Sequence, residues 1–464
     1  MRMARAGPEL CGQQDPAIAD LAHPSGSPIL TYSYPVSEPR QKVGQKVRRW
    51  SLGSRREWLL GALLSLVVIG PTASLAGGPI HGAKAAGMAT AFLAVADDPS
   101  AITHNPAGLV NLKGTHIYNG ATGVILSSEY NGPDGRSERT NFQVFFPPHA
   151  YLTSDFGLER LVFGLGIFSP FGIGGRKWSD NGLTRFVSTD SLIGTVTLNP
   201  TLAWRVLPQL ALGMGVDVIY ALNRMATMVD QSVFNVDNAK LSFKGDGFGV
   251  GYNLGLLLFP GGKLSFAFAF RSDMRVKQKG DLTLEGIAPP LQPIFGGNSF
   301  RTKASMVVKF PQIFSWGVAY RPTPKWTMAL DVEWVRWSSF SRSTLDLQRE
   351  VPLVGFTDIP IAFSWHDSWL AKIGAEYKIN DRFALRGGYA FIETPVPENT
   401  LGPGSPEANQ HNFSVGLGVN LRRWVIDVFY MAGFYESRKV QNHILSGTYG
   451  SFVHYGGLSV GYRF

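Results

Sequence analysis

The feature that most constrains this chain is an alternation of large apolar residues with small or polar ones. From 210 to 222 the even positions carry Leu, Met, Val or Tyr, while the odd positions are mostly Ala, Gly and Asp. The same pattern recurs at 248–258, 264–271 and 413–421. A period of two predicts β-strands. A soluble sandwich would carry Lys, Glu and Thr on its outer face, whereas large-outward, small-inward alternation is typical of a transmembrane β-barrel.

The connections between these segments support a closed barrel. Fourteen strands are predicted to start near residues 115, 140, 160, 192, 209, 246, 263, 304, 325, 366, 382, 409, 424 and 448. Every second connection is short (TSDFGLE, VLPQ, FPGGK, RPTPK, KINDR, NLRR), and most others are long, as in an even-stranded bacterial outer-membrane barrel. Aromatic residues that flank the short turns suggest an interfacial girdle: Trp204, Tyr320, Trp326, Tyr377, Phe383 and Trp424. The prediction is an all-β, fourteen-stranded antiparallel barrel over 114–464, with 400–408 in a connection open to the outside.

The N-terminal 76 residues are interpreted as an extension followed by a signal peptide. The apolar run from Trp58 to Ile69 is too short to span a bilayer as a helix, which needs about 20 residues. Arginines precede it, Pro71 ends it, and the small residues Ser74 and Ala76 follow, with cleavage expected after Ala76. The only cysteine, Cys11, would be removed, so the mature chain is expected to have no disulfide or thiol site.

Residues 77–113 lie between the signal and the first strand. Asp98-Pro99 and Asn105-Pro106 each place a capping residue before proline, which predicts short helical turns. A segment of this size has too few residues for a core of its own. It is therefore expected to pack inside the barrel as a hatch, the alternative being a tail in the periplasm.

Several segments, taken in order, resemble the FadL/TodX family of outer-membrane transporters of long-chain fatty acids and hydrocarbons. They are GAKAAGMATAFLAVADDPSAITHNPAGL, FGLGIFSPFG, KGDGFGVGYNLGLLL, RWSSF, RFALRGGYAFIETPVPENT and GTYGSFVHYGGLSVGYRF. Asn105, Pro106 and Ala107 match the Asn-Pro-Ala element of the family's hatch. The resemblance implies ligand capture at external loops, binding in the lumen, and lateral release into the bilayer beside a kinked third strand.

That kink would fall at Pro170, Phe171 and Gly172 in this sequence. Proline lacks a ladder donor and glycine weakens strand pairing, so the residues suit an interruption. The alternative is that strand 3 simply ends at Pro170. The C-terminal strand ends in Phe464, which resembles the signal read by the barrel-assembly machinery.

Strand parity predicts four basic residues in the lumen: Arg271, Arg275, Lys372 and Arg386. Such cations are candidates for binding a fatty-acid carboxylate. Parity also predicts acidic residues there, so mutual neutralisation is the alternative: Asp217, Asp331, Glu333, Glu376 and Asp427. The family's carboxylate-binding residues map onto no motif here.

The predicted function is uptake of hydrophobic compounds, with long-chain fatty acids as the first candidate. Uptake of uncharged, aromatic hydrocarbons by the same route and a general diffusion porin are the alternatives. No arrangement of catalytic, cofactor-binding or metal-binding residues is recognised, so no enzyme activity is expected. The net charge of +9 forms no basic stripe, which argues against nucleic acid as a partner. The expected partners are a hydrophobic ligand and outer-membrane lipid, with the protein as a monomer.

Overall fold

The computed structural model describes residues 80–464, and these form a closed antiparallel barrel of fourteen strands, as predicted. The predicted signal peptide, its cleavage site and Cys11 lie outside the described residues. The strands are β1 (Thr115–Asn131), β2 (Val144–Phe145 and Pro148–Ser154), β3 (Leu161–Phe168 and Ile173–Lys177), β4 (Asp190–Leu207), β5 (Leu210–Val229), β6 (Ala239–Leu258), β7 (Leu264–Arg271 and Met274–Glu285), β8 (Ser299–Phe310 and Ile313–Thr323), β9 (Trp326–Val335), β10 (Ser368–Lys378), β11 (Phe383–Ile392), β12 (Gln410–Leu421), β13 (Trp424–Tyr435) and β14 (Gly447–Arg463).

The barrel closes where β14 pairs with β1, from His116↔Arg463 to Asn131↔Thr448. Closure leaves the sheet without a free outer edge, which a lipid environment requires. The six short connections join the strands at one end, here called the short-turn end. The long connections, at the long-loop end, contain further short elements: the strands Ser137–Arg139, Arg342–Leu347, Ile359–Ala362 and Arg438–Val440, and the helix Gln292–Phe295.

The outer face of the barrel is the large apolar face that the alternation predicts. Met214, Val250 and Val415 are 55%, 66% and 61% exposed, whereas their neighbours along each strand point inward. Within residues 80–464, no helix combines the length and apolarity needed to cross a membrane. Phe464 ends the chain with its side chain exposed, and its recognition by the assembly machinery stays a prediction.

Residues 80–113 pack inside the barrel as three short turns of helix. These are Ala83–Gly87, Ala101–His104 and the 3-10 helix Pro106–Asn111. The Asn105 side chain caps the last of them by accepting a hydrogen bond from the Ala107 amide at 3.1 Å. Almost every side chain from Ala83 to Val110 is buried, so this segment, called the hatch below, is enclosed by the barrel and occupies part of its lumen.

Inward-facing glycines make room for the hatch. A β-carbon at Gly213 would lie 2.3 Å from the Ala107 nitrogen, and one at Gly255 would lie 2.1 Å from the Asn105 side chain. A β-carbon at Gly374 would lie 2.4 Å from the Met88 oxygen. The small inner face of the alternation therefore follows from the need to bring strand backbones close to the hatch backbone.

The predicted inward direction of Arg275 is wrong: its side chain is 69% exposed on the outer face. Arg271 pairs with Asn253 and Lys279 pairs with Asp246. Between these two pairs, β7 advances eight residues whereas β6 advances only seven. One extra residue in β7 therefore shifts the register, and a one-residue shift moves every following side chain to the opposite face.

Candidate ligand path through the barrel

An apolar cluster fills the lumen between the hatch and the long-loop end. It is built from inward side chains of the long-loop halves of the strands and from the long connections. We call it the upper cluster, and its members include Phe171, Trp178, Ile219, Phe243, Met306, Phe310, Trp337, Phe363, Trp365, Ile392 and Leu401. An interior of this composition suits a hydrophobic ligand and excludes ions and water.

The connection from Glu393 to Asn409 folds into the barrel and covers part of the upper cluster. Residues 400–408 are all buried, so the prediction that they are open to the outside is wrong. Arg176 of β3 forms an ion pair with Glu407 at 3.1 Å, with both side chains almost fully buried. The Trp178 indole donates a hydrogen bond to the Pro403 oxygen at 2.9 Å. We call residues 393–409 the inward connection.

β3 is interrupted at the residues that the sequence singled out. It leaves the ladder after Phe168, turns through a hydrogen bond from the Gly172 amide to the Ser169 oxygen at 2.9 Å, and resumes at Ile173. Gly172 has a φ of 75°, a conformation that favours glycine. The strand therefore continues beyond Pro170, contrary to the alternative that it ends there.

The interruption separates β2 from the second half of β3. The ladder between β2 and β3 ends at Ala150↔Ile167, whereas the second segment of β3 pairs with β4 from Ile173↔Gly194 onward. Between Phe168 and Ile173, β3 advances five residues while β4 advances three, from Thr197 to Gly194. Two extra residues of β3 thus form the turn that leaves the barrel wall.

Apolar side chains lie on both sides of this turn. Phe171 belongs to the upper cluster and stacks on Phe310, with ring centroids 4.6 Å apart. Ile173 packs against a second cluster, called here the gap-side cluster: Ala83, Ala86, Val124, Leu126, Phe145, Phe429, Met431, Val453 and Tyr455. The turn therefore sits where two apolar regions of the lumen meet the barrel wall.

The start of the hatch contacts the same turn. The His81 Nε2 lies 2.6 Å from the Ser169 carbonyl oxygen and 3.2 Å from the Ser169 amide nitrogen, so the ring contacts the chain where the ladder is broken. Burial lowers the pKa of His81 to about 4, which keeps the ring neutral at neutral pH. His104, which bonds the His81 oxygen at 3.0 Å, has its pKa lowered to about 3 by burial as well.

The structure brings three of the four predicted lumen cations inside and gives each an acidic partner. Arg271 contacts Asp217, and Lys372 lies 2.7 Å from Glu333. Arg386 contacts two carboxylates: Glu376 at 2.7 Å and Asp427 at 2.6 Å. A ligand carboxylate would have to displace one of these partners to reach the cations.

Two lumen residues attach the hatch to the barrel rather than face a ligand. Asp331 accepts hydrogen bonds from the amides of Phe92 at 2.6 Å and Leu93 at 2.9 Å. Asn105 donates to the Leu93 oxygen at 3.0 Å and to the Leu256 oxygen of β6 at 3.2 Å.

Sequence reasoning missed two buried donors of the upper lumen. The Gln278 Nε2 and the Trp337 Nε1 are buried and have no hydrogen-bond partner within residues 80–464. Gln278 stands on the inward face of β7 among Met274, Val276 and Leu282. A lone carboxamide in an apolar series was the available signal, because a buried polar group without a partner is costly unless something else binds it.

A barrel with an internal hatch and an apolar lumen defines a class: an outer-membrane β-barrel protein that transports hydrophobic compounds. The chain belongs to the outer membrane protein transport family OMPP1/FadL/TodX, since the sequence model of that family matches residues 66–464. It is 21% identical over 392 residues to a long-chain fatty acid transport protein of Escherichia coli, covering 76% of this chain and 85% of that protein.

Two solved structures have the same fold. A Pseudomonas aeruginosa FadL homologue superposes with a TM-score of 0.74 at 21% identity, covering 84% of this chain and all of that one. The P. putida toluene transporter TodX gives a TM-score of 0.64 at 16% identity, covering 84% of this chain and 99% of that one. The relatives thus include transporters named for an acid and for a neutral hydrocarbon.

Proposed function

We propose that this protein takes up hydrophobic compounds and releases them sideways into the bilayer through the interruption of β3. The observation that carries the proposal is the turn Ser169–Gly172, which has Phe171 in the upper cluster and Ile173 against the gap-side cluster. A ligand that prefers lipid gains nothing by crossing the aqueous periplasm. Below the upper cluster the hatch blocks the straight route.

The first candidate ligand is a long-chain fatty acid, captured at the long loops and bound in the upper cluster. Its carboxylate needs hydrogen-bond donors inside an apolar space. Gln278 and Trp337 supply N–H groups without partners there. Asn223 lies beside Gln278, since its amide donates to the Gln278 oxygen at 3.3 Å. The curated Escherichia coli relative is named as a fatty acid transport protein.

An uncharged hydrocarbon is the second candidate, and the ion pairs of the lumen favour it. Because Arg271, Lys372 and Arg386 already have acidic partners, the lumen offers no free cation at the predicted positions. A general diffusion porin is less suited to these observations, since the hatch and the upper cluster leave little room for water.

The lateral route is tested by removing the two extra residues of β3. Deleting Phe171 and Gly172 and changing Pro170→Thr should let β3 pair continuously, and an even deletion keeps each side chain on its own face. We expect uptake of radiolabelled oleate and of radiolabelled toluene to fall at least about tenfold, because closing the wall removes the favourable exit.

The matched control deletes Gly296 and Gly297, which lie in a long connection with nothing near their β-carbon positions. Both proteins should keep heat-modifiable migration, which reports a folded barrel. Normal uptake by a folded β3 variant would refute lateral release.

A further inference from the structure

Basic residues crowd the outer face of the barrel at the long-loop end of β6–β8. They alternate with inward apolar residues such as Val276 and Val308. The group consists of Lys244, Arg275, Lys277, Lys279, Arg301, Lys303 and Lys309. Their side chains point away from the lumen and from the hatch.

These cations begin where the outer apolar band ends. On β6 the outward series runs from Leu254 through Val250 to Phe248, which is 70% exposed, and then changes to Asp246 and Lys244. Lys279 pairs with Asp246 across the β6–β7 ladder, so Lys277 lies beside the edge of the band. That level is where lipid head groups meet the barrel.

A groove of about 340 Å³ lies at this level. It lies where the strand Arg342–Leu347 pairs with the edge of the first segment of β8 that β9 leaves free, through the pairs Ala304↔Leu347 and Ser305↔Asp346. Three cations line it: Lys277, Lys309 and Arg342. Hydroxyl groups, apolar atoms and one carboxylate complete the lining: Ser305, Met306, Val307, Ser343, Thr344 and Asp346.

The three cations of the groove are uncompensated. None of Lys277, Lys309 and Arg342 forms an ion pair with Asp346 or with any other carboxylate of residues 80–464, whereas nearby Arg301 and Lys303 both lie 2.8 Å from Asp281. Three cations against one carboxylate leave the groove positive. Lys and Arg side chains that line one groove are complementary to phosphate, which accepts several charge-assisted hydrogen bonds.

We propose that this groove binds the phosphate-bearing head group of an outer-leaflet lipid, whose acyl chains lie along Val307 and Phe248. The lipid is favoured over free phosphate because exposed apolar side chains adjoin the cations: Val307, 40% exposed, pairs with Lys277 and lines the groove, and Phe248, 70% exposed, begins the outward apolar series of β6. This site is separate from the ligand path and does not depend on it.

The test measures binding of bis-phosphorylated lipid A to the detergent-solubilised, folded protein by native mass spectrometry, with EDTA present to remove bridging cations. The variant is Lys277→Gln, Lys309→Gln and Arg342→Gln together. We expect it to bind the lipid on the order of tenfold to a hundredfold more weakly than the unmodified protein. The control Lys263→Gln, Lys325→Gln and Arg382→Gln removes three exposed charges at the short-turn end and should bind normally.

Two further measurements separate charge from general damage and lipid from phosphate. The variant Lys277→Arg, Lys309→Arg and Arg342→Lys keeps the charges and should retain binding. Dephosphorylated lipid A should bind weakly to every form. Equal binding by the Gln variant, or equal binding of the dephosphorylated lipid, would overturn the proposal, as would complete displacement of the lipid by millimolar inorganic phosphate.

Discussion

Most polar side chains inside the barrel already have partners, either in ion pairs or in the backbone of the hatch, and a few have none and could bind a ligand. Arg271, Lys372 and Arg386 hold acidic partners, and Asn105 and Asp331 hold hatch backbone. Gln278 differs because its N–H group has no partner among residues 80–464. It is therefore the residue at which the two ligand candidates can be told apart.

We predict that Gln278→Leu weakens fatty-acid binding and leaves hydrocarbon binding unchanged. Losing one hydrogen bond to a charged group costs about 1.5–3 kcal/mol, or roughly ten- to a hundredfold in affinity. The measurement is equilibrium binding of labelled oleate and of labelled toluene to purified protein. Met306→Leu, a change of similar volume at the residue that pairs with Gln278 on β8, should bind both normally. Unaltered oleate binding by the Gln278 variant would favour the neutral ligand.

At the scale of elements, the predictable part of the fold is what local sequence encodes. Alternation over ten or more residues marks the strands, and short polar turns such as NLRR mark their ends, so the strand number follows. The extra residue of β7 near Ser272 has no local signature, because a bulge is fixed by pairing with β6. Arg275 was misplaced for this reason.

The inward connection could not be predicted because its composition is that of an exposed loop. PENTLGPGSPEAN is rich in Pro, Gly and Asn, and it becomes buried through partners distant in sequence. Arg176 reaches Glu407 from 231 positions away, and Ser191 donates to the Gly404 oxygen at 3.0 Å. The candidate site thus depends on contacts that only the closed barrel brings together.

We predict that Glu407→Ala releases the inward connection, because it leaves the Arg176 guanidinium buried without its carboxylate, a loss of about 3–5 kcal/mol. Replacing both residues with Met should retain the connection, since apolar pairs of similar size often substitute for buried ion pairs. The measurement is thiol labelling of Ser405→Cys on intact cells in a Cys11→Ser background. Ser405 is 2% exposed. Rapid labelling without the Glu407 change would contradict a buried connection.

At the scale of the whole molecule, residues 80–464 form a barrel closed from within by the hatch, whose backbone comes close to the strands. Strand glycines such as Gly213 and Gly374 allow the hatch to approach, while Asn105 and Asp331 hold it by hydrogen bonds to its main chain. The alternation of glycine with larger residues along the strands could be read from the sequence. The side chains that bond the hatch backbone could not be read from it, because they come from strands far along the chain, such as Asn253 of β6, Asp331 of β9 and Ser459 of β14.

The last prediction concerns leakage of ions when the side chain that bonds the hatch at three points is removed. Asn105→Ala would leave the Leu93 and Leu256 oxygens and the Ala107 amide without their side-chain partner, at a cost of about 1–3 kcal/mol for each buried group left unpaired. The hatch should then leave its docked position more often, while the barrel, closed by the β1–β14 ladder, stays folded and heat-modifiable.

The measurement is single-channel current in planar bilayers. The unmodified protein should be nearly silent and the variant should show frequent openings. Asn111→Ala in the same 3-10 helix removes only a long contact of 3.4 Å to the Ala96 oxygen and should remain silent. If the Asn105 variant is as silent as the Asn111 variant, packing alone holds the hatch.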